Sequence, residues 1–210
     1  MHEIAAAGFL FDMDGTLVDS TAVVEHVWTE FCRRHGLDPV ELLAFAHGRQ
    51  AGDTIAHFLP QLSEAERAQL AAGLVAEELT RTDGIVEIPG AGAFLTALAD
   101  DGARIAVVTS APHDLAVTRM RAAGILVPAL LVAAEDVERG KPDPQGYLLA
   151  AARLGVPIGE CVVFEDAEAG LTAAVASGAR VVVVGGHESA LTAGLPRLRD
   201  YAGLKAVVAS

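Results

Sequence analysis

The sequence has few of the residues that mark several common protein classes. Its two cysteines, Cys32 and Cys161, fall in an amphipathic helical pattern and at the start of a Val-rich run, which predicts free thiols rather than a disulfide framework. No apolar run approaches the ~18 residues of a membrane span. No basic segment followed by an apolar signal core is present either. We therefore expect a cytoplasmic protein that does not enter a membrane.

Basic residues are also scarce. Lys and Arg number 15 against 28 Asp and Glu, and the formal net charge of −13 argues against binding to nucleic acid or an anionic membrane. Only Lys141 and Lys205 are lysines. A protein of this charge that handles an anionic substrate has to concentrate its few cations, or a metal ion, at the site.

The chain divides into two patterns. Up to about residue 80, after a first apolar strand, the apolar residues recur at helical spacing in stretches at about 20–35, 39–46, 50–58 and 63–80. From Pro89 onward, helices at about 90–100, 113–123, 144–154 and 167–177 alternate with apolar runs at 104–108, 130–132, 161–164 and 180–184. Continuous apolar strands separated by helices predict an α/β protein with a parallel sheet covered on both faces.

Two carboxylates follow the first apolar strand directly. Asp12 and Asp14 would point to opposite faces of a continuing strand, so both can face one pocket only if the backbone turns, which Gly15 permits. The carboxyl ends of the strands are where open α/β sheets bind ligands. The alternative is that these residues merely cap a helix starting near Thr16.

Three later segments place further polar or charged side chains at the same predicted edge of the sheet. Thr109 and Ser110 follow a strand and suit an anion, although a plain helix cap fits them equally well. Lys141 lies in a stretch stiffened by prolines, where a solvated surface lysine is the alternative. Glu165 and Asp166 end another buried strand. Four carboxylates converging at one edge repel each other and need a hard cation, which predicts Mg²⁺.

Taken in order, these motifs resemble those of the haloacid dehalogenase superfamily of phosphohydrolases. The resemblance implies a Rossmann-like core of residues 1–18 and 85–210 with an inserted four-helix cap at residues 19–84. Three segments are most similar to the branch of sugar- and polyol-phosphate phosphatases near the β-phosphoglucomutase group: Leu37 to Phe58 with its His47-Gly48-Arg49, Ile88-Pro89-Gly90, and Arg139-Gly140-Lys141-Pro142. The implied substrate is a small phosphorylated metabolite, and we expect a monomer, with a dimer as the alternative.

The resemblance also implies a role for each motif residue. Asp12 would be the nucleophile that forms an aspartyl-phosphate, and Asp14 the general acid and then the general base. Thr109 and Lys141 would bind the transferring phosphoryl oxygens. The implied ligands of Mg²⁺ are Asp12, the backbone carbonyl of Asp14, and Asp166, with Glu165 supporting through water.

Substrate choice is expected to depend on residues around this centre. Ser110 and His113 follow the second motif, and His47 and Arg49 lie in the cap, where a surface Arg49 and a core His47 are equally compatible with the sequence. Nothing in the sequence names the sugar.

Two other functions compete with the phosphatase. In the resembling mutases a cap histidine and a cap arginine hold the acid and the second phosphate, whereas an ungapped comparison finds Val24 and Ala51 there, with His26 close enough to leave the register open. A non-catalytic binding module would be expected to have lost at least one of Asp12, Asp14, Lys141 or Asp166, and all are present. We therefore favour the phosphatase.

Overall fold

The computed structural model describes residues 3–208. The strands of its main sheet are β2 (Gly8–Phe11), β5 (Arg104–Val108), β6 (Leu130–Val132), β7 (Cys161–Glu165), β8 (Arg180–Val184) and β9 (Arg197–Leu198). They lie in the order β6-β5-β2-β7-β8-β9, and every neighbouring pair is parallel. The predicted α/β fold is confirmed.

Four helices cover the two faces of this sheet: α5 (Ala91–Asp100), α6 (His113–Ala122), α7 (Gln145–Leu154) and α8 (Glu168–Ser177). Because successive side chains of a strand point to opposite faces, Phe9 and Phe11 pack with α5 and α6, while Leu10 packs with α7 and α8. Phe11 also stacks on Phe164 of the next strand, with ring centroids 4.6 Å apart. Packing on both faces of the sheet fixes the strands relative to one another. It therefore also fixes the position of the site at their carboxyl ends.

The helical block after the first strand consists of α1 (Thr21–His35), α2 (Pro39–Ala46), α3 (Ala51–Phe58) and α4 (Glu64–Leu79). It has a hydrophobic cluster of its own, which includes Val27, Phe31 and Ile55. Two of these helices begin at side-chain caps. Asp38 accepts hydrogen bonds at the start of α2, and Ser63 forms a capping box at the start of α4. We call this helical insertion the cap.

Five short strands were not predicted as separate elements: β9 of the main sheet and four strands outside it. β3 (Val18–Asp19) and β4 (Val86–Glu87) pair antiparallel where the chain enters and leaves the cap, and β1 (Glu3–Ala6) pairs parallel with β10 (Lys205–Val208). The first apolar run is therefore two strands, β1 and β2, rather than one. Two 3₁₀ turns, at Ala134–Asp136 and Ile158–Glu160, complete the structure. No helix within residues 3–208 is both long and apolar enough to cross a membrane.

Candidate active site

The ends of three adjacent strands bring the predicted motifs together. Asp12 follows β2, Thr109 follows β5 and Glu165 ends β7, and β5, β2 and β7 are neighbours in the sheet. The Asp12 amide donates to the Phe164 carbonyl at 3.0 Å, which extends the β2–β7 ladder to the first motif residue. All three side chains are buried, as is that of Lys141. The sheet thus supplies a rigid platform for charged groups.

Lys141 is held between two carboxylates. Its Nζ donates to the Asp12 carboxylate and to Glu165 Oε1, the latter at 2.7 Å. Burial lowers the pKa of Lys141, but the carboxylates of Asp12 and Glu165 together raise it well above its ordinary value. The amine therefore stays protonated, and the neighbouring carboxylates aim it at Asp12.

Glu165 is fully buried and its oxygens have several donors. Oε1 also accepts from the Tyr147 hydroxyl at 3.1 Å, and Oε2 accepts from the backbone amides of Asp166 and Ala167 at 2.8 and 3.0 Å. Helix α8 comes so close that a Cβ at Gly170 would lie 1.5 Å from Glu165 Oε1. Four hydrogen-bond donors therefore hold the Glu165 carboxylate in place: Lys141, Tyr147 and the two backbone amides.

The other acidic residues are crowded and poorly compensated. Burial raises the pKa of Asp12 to about 7, with Glu165 and Asp14 adding to the rise and Lys141 opposing it. Burial also raises the pKa of Asp166 well above its ordinary value, with Glu165 and Asp12 as the main charged contributors. Oxygens of Asp12, Glu165 and Asp166 all lie within 4.8 Å of one another. Such a cluster of hard oxygen ligands, with one buried ammonium beside it, fits a divalent cation.

Gly15 allows this crowding. Its φ of +82° turns the chain after the Asp pair, and a Cβ there would lie 2.1 Å from Asp166 Oδ2. Thr16 then donates from Oγ1 to Asp166 Oδ1 at 2.9 Å. A glycine is therefore needed at residue 15 for both its conformation and the close approach of Asp166.

Asp14 is anchored differently from Asp12. Ser20, the residue before α1, donates from Oγ to Asp14 Oδ1 at 2.6 Å, and Arg119 of α6 donates from Nη1 to Asp14 Oδ2 at 2.8 Å. Arg119 is buried, and its Nη2 lies 3.2 Å from Oε2 of Glu78 in α4. Sequence reasoning missed Ser20, Arg119 and Glu78. The available signal was a charged residue on an apolar helix face, since Arg119 follows Leu115 by four positions.

A cavity of about 620 Å³ separates the strand ends from the cap. The predicted residues that line it are Asp12, Asp14, His47, Arg49, Thr109, Ser110 and Asp166. Lys141 and Glu165 lie behind Asp12 instead. His113 does not line the cavity, because at the start of α6 its side chain points to solvent while its amide donates to Glu135. The structure therefore gives no support to His113 as a substrate contact.

The cap contacts the core directly at the rim of this cavity. Ser110 donates from Oγ to the Gly48 carbonyl at 2.8 Å, and Gln50 donates from Nε2 to the Ala134 carbonyl at 3.2 Å. The Ser110 hydroxyl is thus occupied by the cap. Arg49 lies over the Phe45 ring, 4.4 Å from its centroid. The cap is closed over the strand ends in this structure.

The sequence profile of the haloacid dehalogenase-like hydrolases matches residues 6–178. The chain belongs to this family. It is 48% identical over 177 residues to hexitol phosphatase A of Escherichia coli, covering 84% of this chain and 82% of that protein. It is 34% identical over 194 residues to 2-deoxyglucose-6-phosphate phosphatase 2 of Saccharomyces cerevisiae, covering 82% and 77%.

A solved structure also has this fold. A β-phosphoglucomutase from Clostridium difficile superposes with a TM-score of 0.81 at 22% identity, over 93% of this hydrolase and 91% of that chain. At this identity the likeness shows the fold alone. The family match and the curated relatives, not this structure, show that the chain is an enzyme of the phosphatase branch of the haloacid dehalogenase-like hydrolases.

Proposed function

We propose that this hydrolase cleaves small sugar or polyol phosphate monoesters through an aspartyl-phosphate on Asp12. The observation that carries the proposal is the position of Asp12 and Asp14 in one cavity, with the Lys141 ammonium directly behind Asp12. A nucleophile and a separate acid on one pocket suit transfer of a phosphoryl group away from an alcohol. The names of the two phosphatase relatives, one a hexitol and one a deoxyhexose enzyme, support the substrate class.

The chemistry proceeds in two displacements. A carboxylate oxygen of Asp12 attacks phosphorus as the bond to the substrate oxygen breaks, and Asp14 gives its proton to the departing alkoxide. Asp14 then takes a proton from water as the water oxygen attacks the same phosphorus. The bond to Asp12 breaks, and inorganic phosphate leaves. The net reaction consumes one ester and one water and yields one alcohol and one phosphate.

The surrounding residues prepare these steps. Lys141 stays charged and opposes the rise in the pKa of Asp12, so its ammonium favours the ionised form that attacks phosphorus. Ser20 and Arg119 fix both oxygens of Asp14, which orients its carboxyl group within the cavity. Thr109 is buried at the end of β5, where its hydroxyl can contact a phosphoryl oxygen. Each group is held by its own partners before any substrate binds, which lowers the cost of ordering it.

The metal fits the carboxylate cluster described above. We assign Asp12 and Asp166 as the carboxylates that would hold Mg²⁺, with the backbone carbonyl of Asp14 as the further ligand implied by the family. When bound, Mg²⁺ neutralises charge on the phosphoryl group. Glu165 has a different task, because its oxygens already accept from Lys141, Tyr147 and two amides. We assign it to positioning Lys141.

The cavity argues against the mutase alternative. Val24 and Ala51 line it, whereas His26 is exposed and does not. The two positions that the ungapped comparison assigns to basic groups in the mutases are thus apolar here, although Arg49 of the cap also lines the cavity. We expect water rather than a second sugar phosphate to resolve the intermediate.

The test is phosphate release from sorbitol 6-phosphate, 2-deoxyglucose 6-phosphate and p-nitrophenyl phosphate, with and without Mg²⁺. We expect Mg²⁺-dependent release that EDTA abolishes. A second experiment supplies β-glucose 1-phosphate with catalytic glucose 1,6-bisphosphate and follows the products by phosphorus NMR. Free phosphate supports the phosphatase, whereas formation of glucose 6-phosphate faster than phosphate would establish the mutase.

A further inference from the structure

Two charged side chains from separate elements meet in the cavity wall. Glu78 belongs to the cap helix α4 and Arg119 to the core helix α6, and Glu78 Oε2 lies 3.2 Å from Arg119 Nη2. Both residues line the cavity, and they are 8% and 4% exposed. The other terminal nitrogen of Arg119 donates to Asp14. The guanidinium therefore connects Asp14, the proposed general acid, to Glu78 of the cap.

This pair has unused hydrogen-bonding capacity. Among residues 3–208, no group accepts a hydrogen bond from the buried Nη2 of Arg119, because its contact with Glu78 lies within ion-pair distance but makes no hydrogen bond. A buried donor without an acceptor is uncommon in a folded protein and calls for a ligand. Arg119 Nη2 supplies a donor and the Glu78 carboxylate an acceptor, side by side. A hydroxyl group, which both accepts and donates, matches that arrangement.

Charge decides what kind of group fits here. The single positive charge of Arg119 is shared between the carboxyl groups of Asp14 and Glu78, so a second phosphate or a carboxylate on the substrate would find no free positive charge here. Around the pair the cap wall is apolar, formed by Val24, Trp28, Leu43, Leu74, Val75 and Leu79. An uncharged carbon chain with hydroxyls suits such a wall, while an anionic tail does not.

We infer that Glu78 and Arg119 bind a hydroxyl of the leaving alcohol, close to the ester oxygen, and restrict the enzyme to phosphate monoesters of uncharged polyhydroxylated alcohols. The hydroxyl lies near the ester because Arg119 also holds Asp14, which protonates that oxygen. This inference rests on the proposed function and names the substrate class of the same site.

The test compares three-carbon substrates that differ in one feature. Glycerol 1-phosphate carries two hydroxyls, propyl phosphate lacks both, and 3-phosphoglycerate keeps one and has a carboxylate in place of the terminal hydroxymethyl group. We expect the wild-type enzyme to prefer glycerol 1-phosphate to each of the other two by about tenfold or more in kcat/KM. Sorbitol 6-phosphate and hexyl phosphate form a second matched pair.

Glu78→Ala removes the acceptor. We expect kcat/KM for glycerol 1-phosphate to fall about tenfold, mainly through KM, and the value for propyl phosphate to change less than about twofold. Glu78→Gln keeps the volume and removes the charge, and it is expected to raise the relative rate on 3-phosphoglycerate. This second variant provides the test if Glu78→Ala does not fold.

The control is Glu77→Gln. Glu77 is the next residue of α4, but its carboxylate pairs with Arg34 and Arg81 and it does not line the cavity. We expect no change in the preference among the three substrates. An equal loss on glycerol 1-phosphate and propyl phosphate in Glu78→Ala would overturn the inference. A wild-type enzyme that releases phosphate from none of the substrates would instead overturn the proposed function.

Discussion

The core side and the cap side of the cavity hold their charges in different ways. On the core side, buried groups at strand ends fix one another, as Lys141 does with Asp12 and Glu165. On the cap side the wall is apolar, and among residues 3–208 the charged cap residues that line it are Arg49 and Glu78. We therefore propose that the core side performs the reaction on the phosphate ester. We propose that the cap side distinguishes the alcohols attached to the phosphate.

The largest effect is expected from removing the proposed nucleophile on the core side. Asp12→Asn is expected to lower kcat by about 1,000-fold or more on every substrate, because the amide keeps the shape of the carboxylate but does not attack phosphorus. Steady-state kinetics on sorbitol 6-phosphate and p-nitrophenyl phosphate measures the loss. A thermal melt at pH 8 checks the fold and is expected to show no decrease in Tm, since the change removes one of several crowded carboxylates. Retention of a tenth of the wild-type kcat would rule out Asp12 as the nucleophile.

A methyl group added at Gly170, behind the core side of the cavity, tests whether Glu165 positions Lys141. Gly170→Ala places a Cβ against Glu165 Oε1, so the carboxylate and the lysine bound to it must move. We expect kcat to fall on the order of tenfold or more, because small misplacements at a reacting centre are costly. Gly73→Ala is the matched control in α4, where a Cβ meets nothing within 4 Å. It is expected to raise the free energy of unfolding by roughly 0.5–1 kcal/mol with unchanged kcat. Equal activity in the two variants would contradict the positioning role of Glu165.

On the cap side, the ionisation of Glu78 is expected to make the free energy of unfolding depend on pH. Burial raises the pKa of Glu78 from an ordinary 4.5 to about 7, while Arg119 opposes the rise. The folded state therefore holds this proton more tightly than the unfolded state, and the resulting stabilisation is lost as the pH rises from about 4.5 through 7.

Glu78→Gln removes this dependence. Relative to the wild type, its free energy of unfolding is expected to be higher at pH 8 than at pH 5 by about 1–2 kcal/mol, as measured by urea titration of both proteins at each pH. A difference between the two proteins that does not change with pH would show that the pKa of Glu78 is not raised.

The smallest effect is expected at His113. Its side chain is half-exposed at the start of α6 and does not line the cavity. His113→Ala should change kcat and KM by less than about twofold on every phosphate ester. A larger rise in KM for a polyol phosphate alone would extend the substrate site past the rim formed by Ser110.

The two sides also differ in how far the sequence predicts them. Asp12, Lys141 and Asp166 lie in motifs at the ends of strands, and parallel strands bring such ends to one edge whatever the loops do. Arg119 and Glu78 are different, because each lies within a helix pattern and their contact depends on how two helices pack. The usable signal is weak: each occupies a buried helix position, with Glu78 following Leu74 by four residues.

The strands that were missed have a similar explanation. β3, β4 and β9 are two residues long, and β10 is largely exposed, so none has the alternation or the apolar run that identifies a strand. β1 and β2 form one apolar stretch in the sequence. Their separation depends on β10, which pairs with β1 from almost the whole length of the chain away.

The strands β3 and β4 form an antiparallel pair, and the cap is the segment that connects them. Val18 lies opposite Glu87 and Asp19 opposite Val86, so the chain leaves the core and returns to it at the same point. The entropy cost of closing a loop grows only slowly with its length, so the insertion of the cap between these two strands costs the core little stability. A change in the length or sequence of this segment therefore leaves in place the sheet and the strand end that carries Asp12 and Asp14. We expect exchange of this one segment to change the substrate preference without changing the residues at the strand ends.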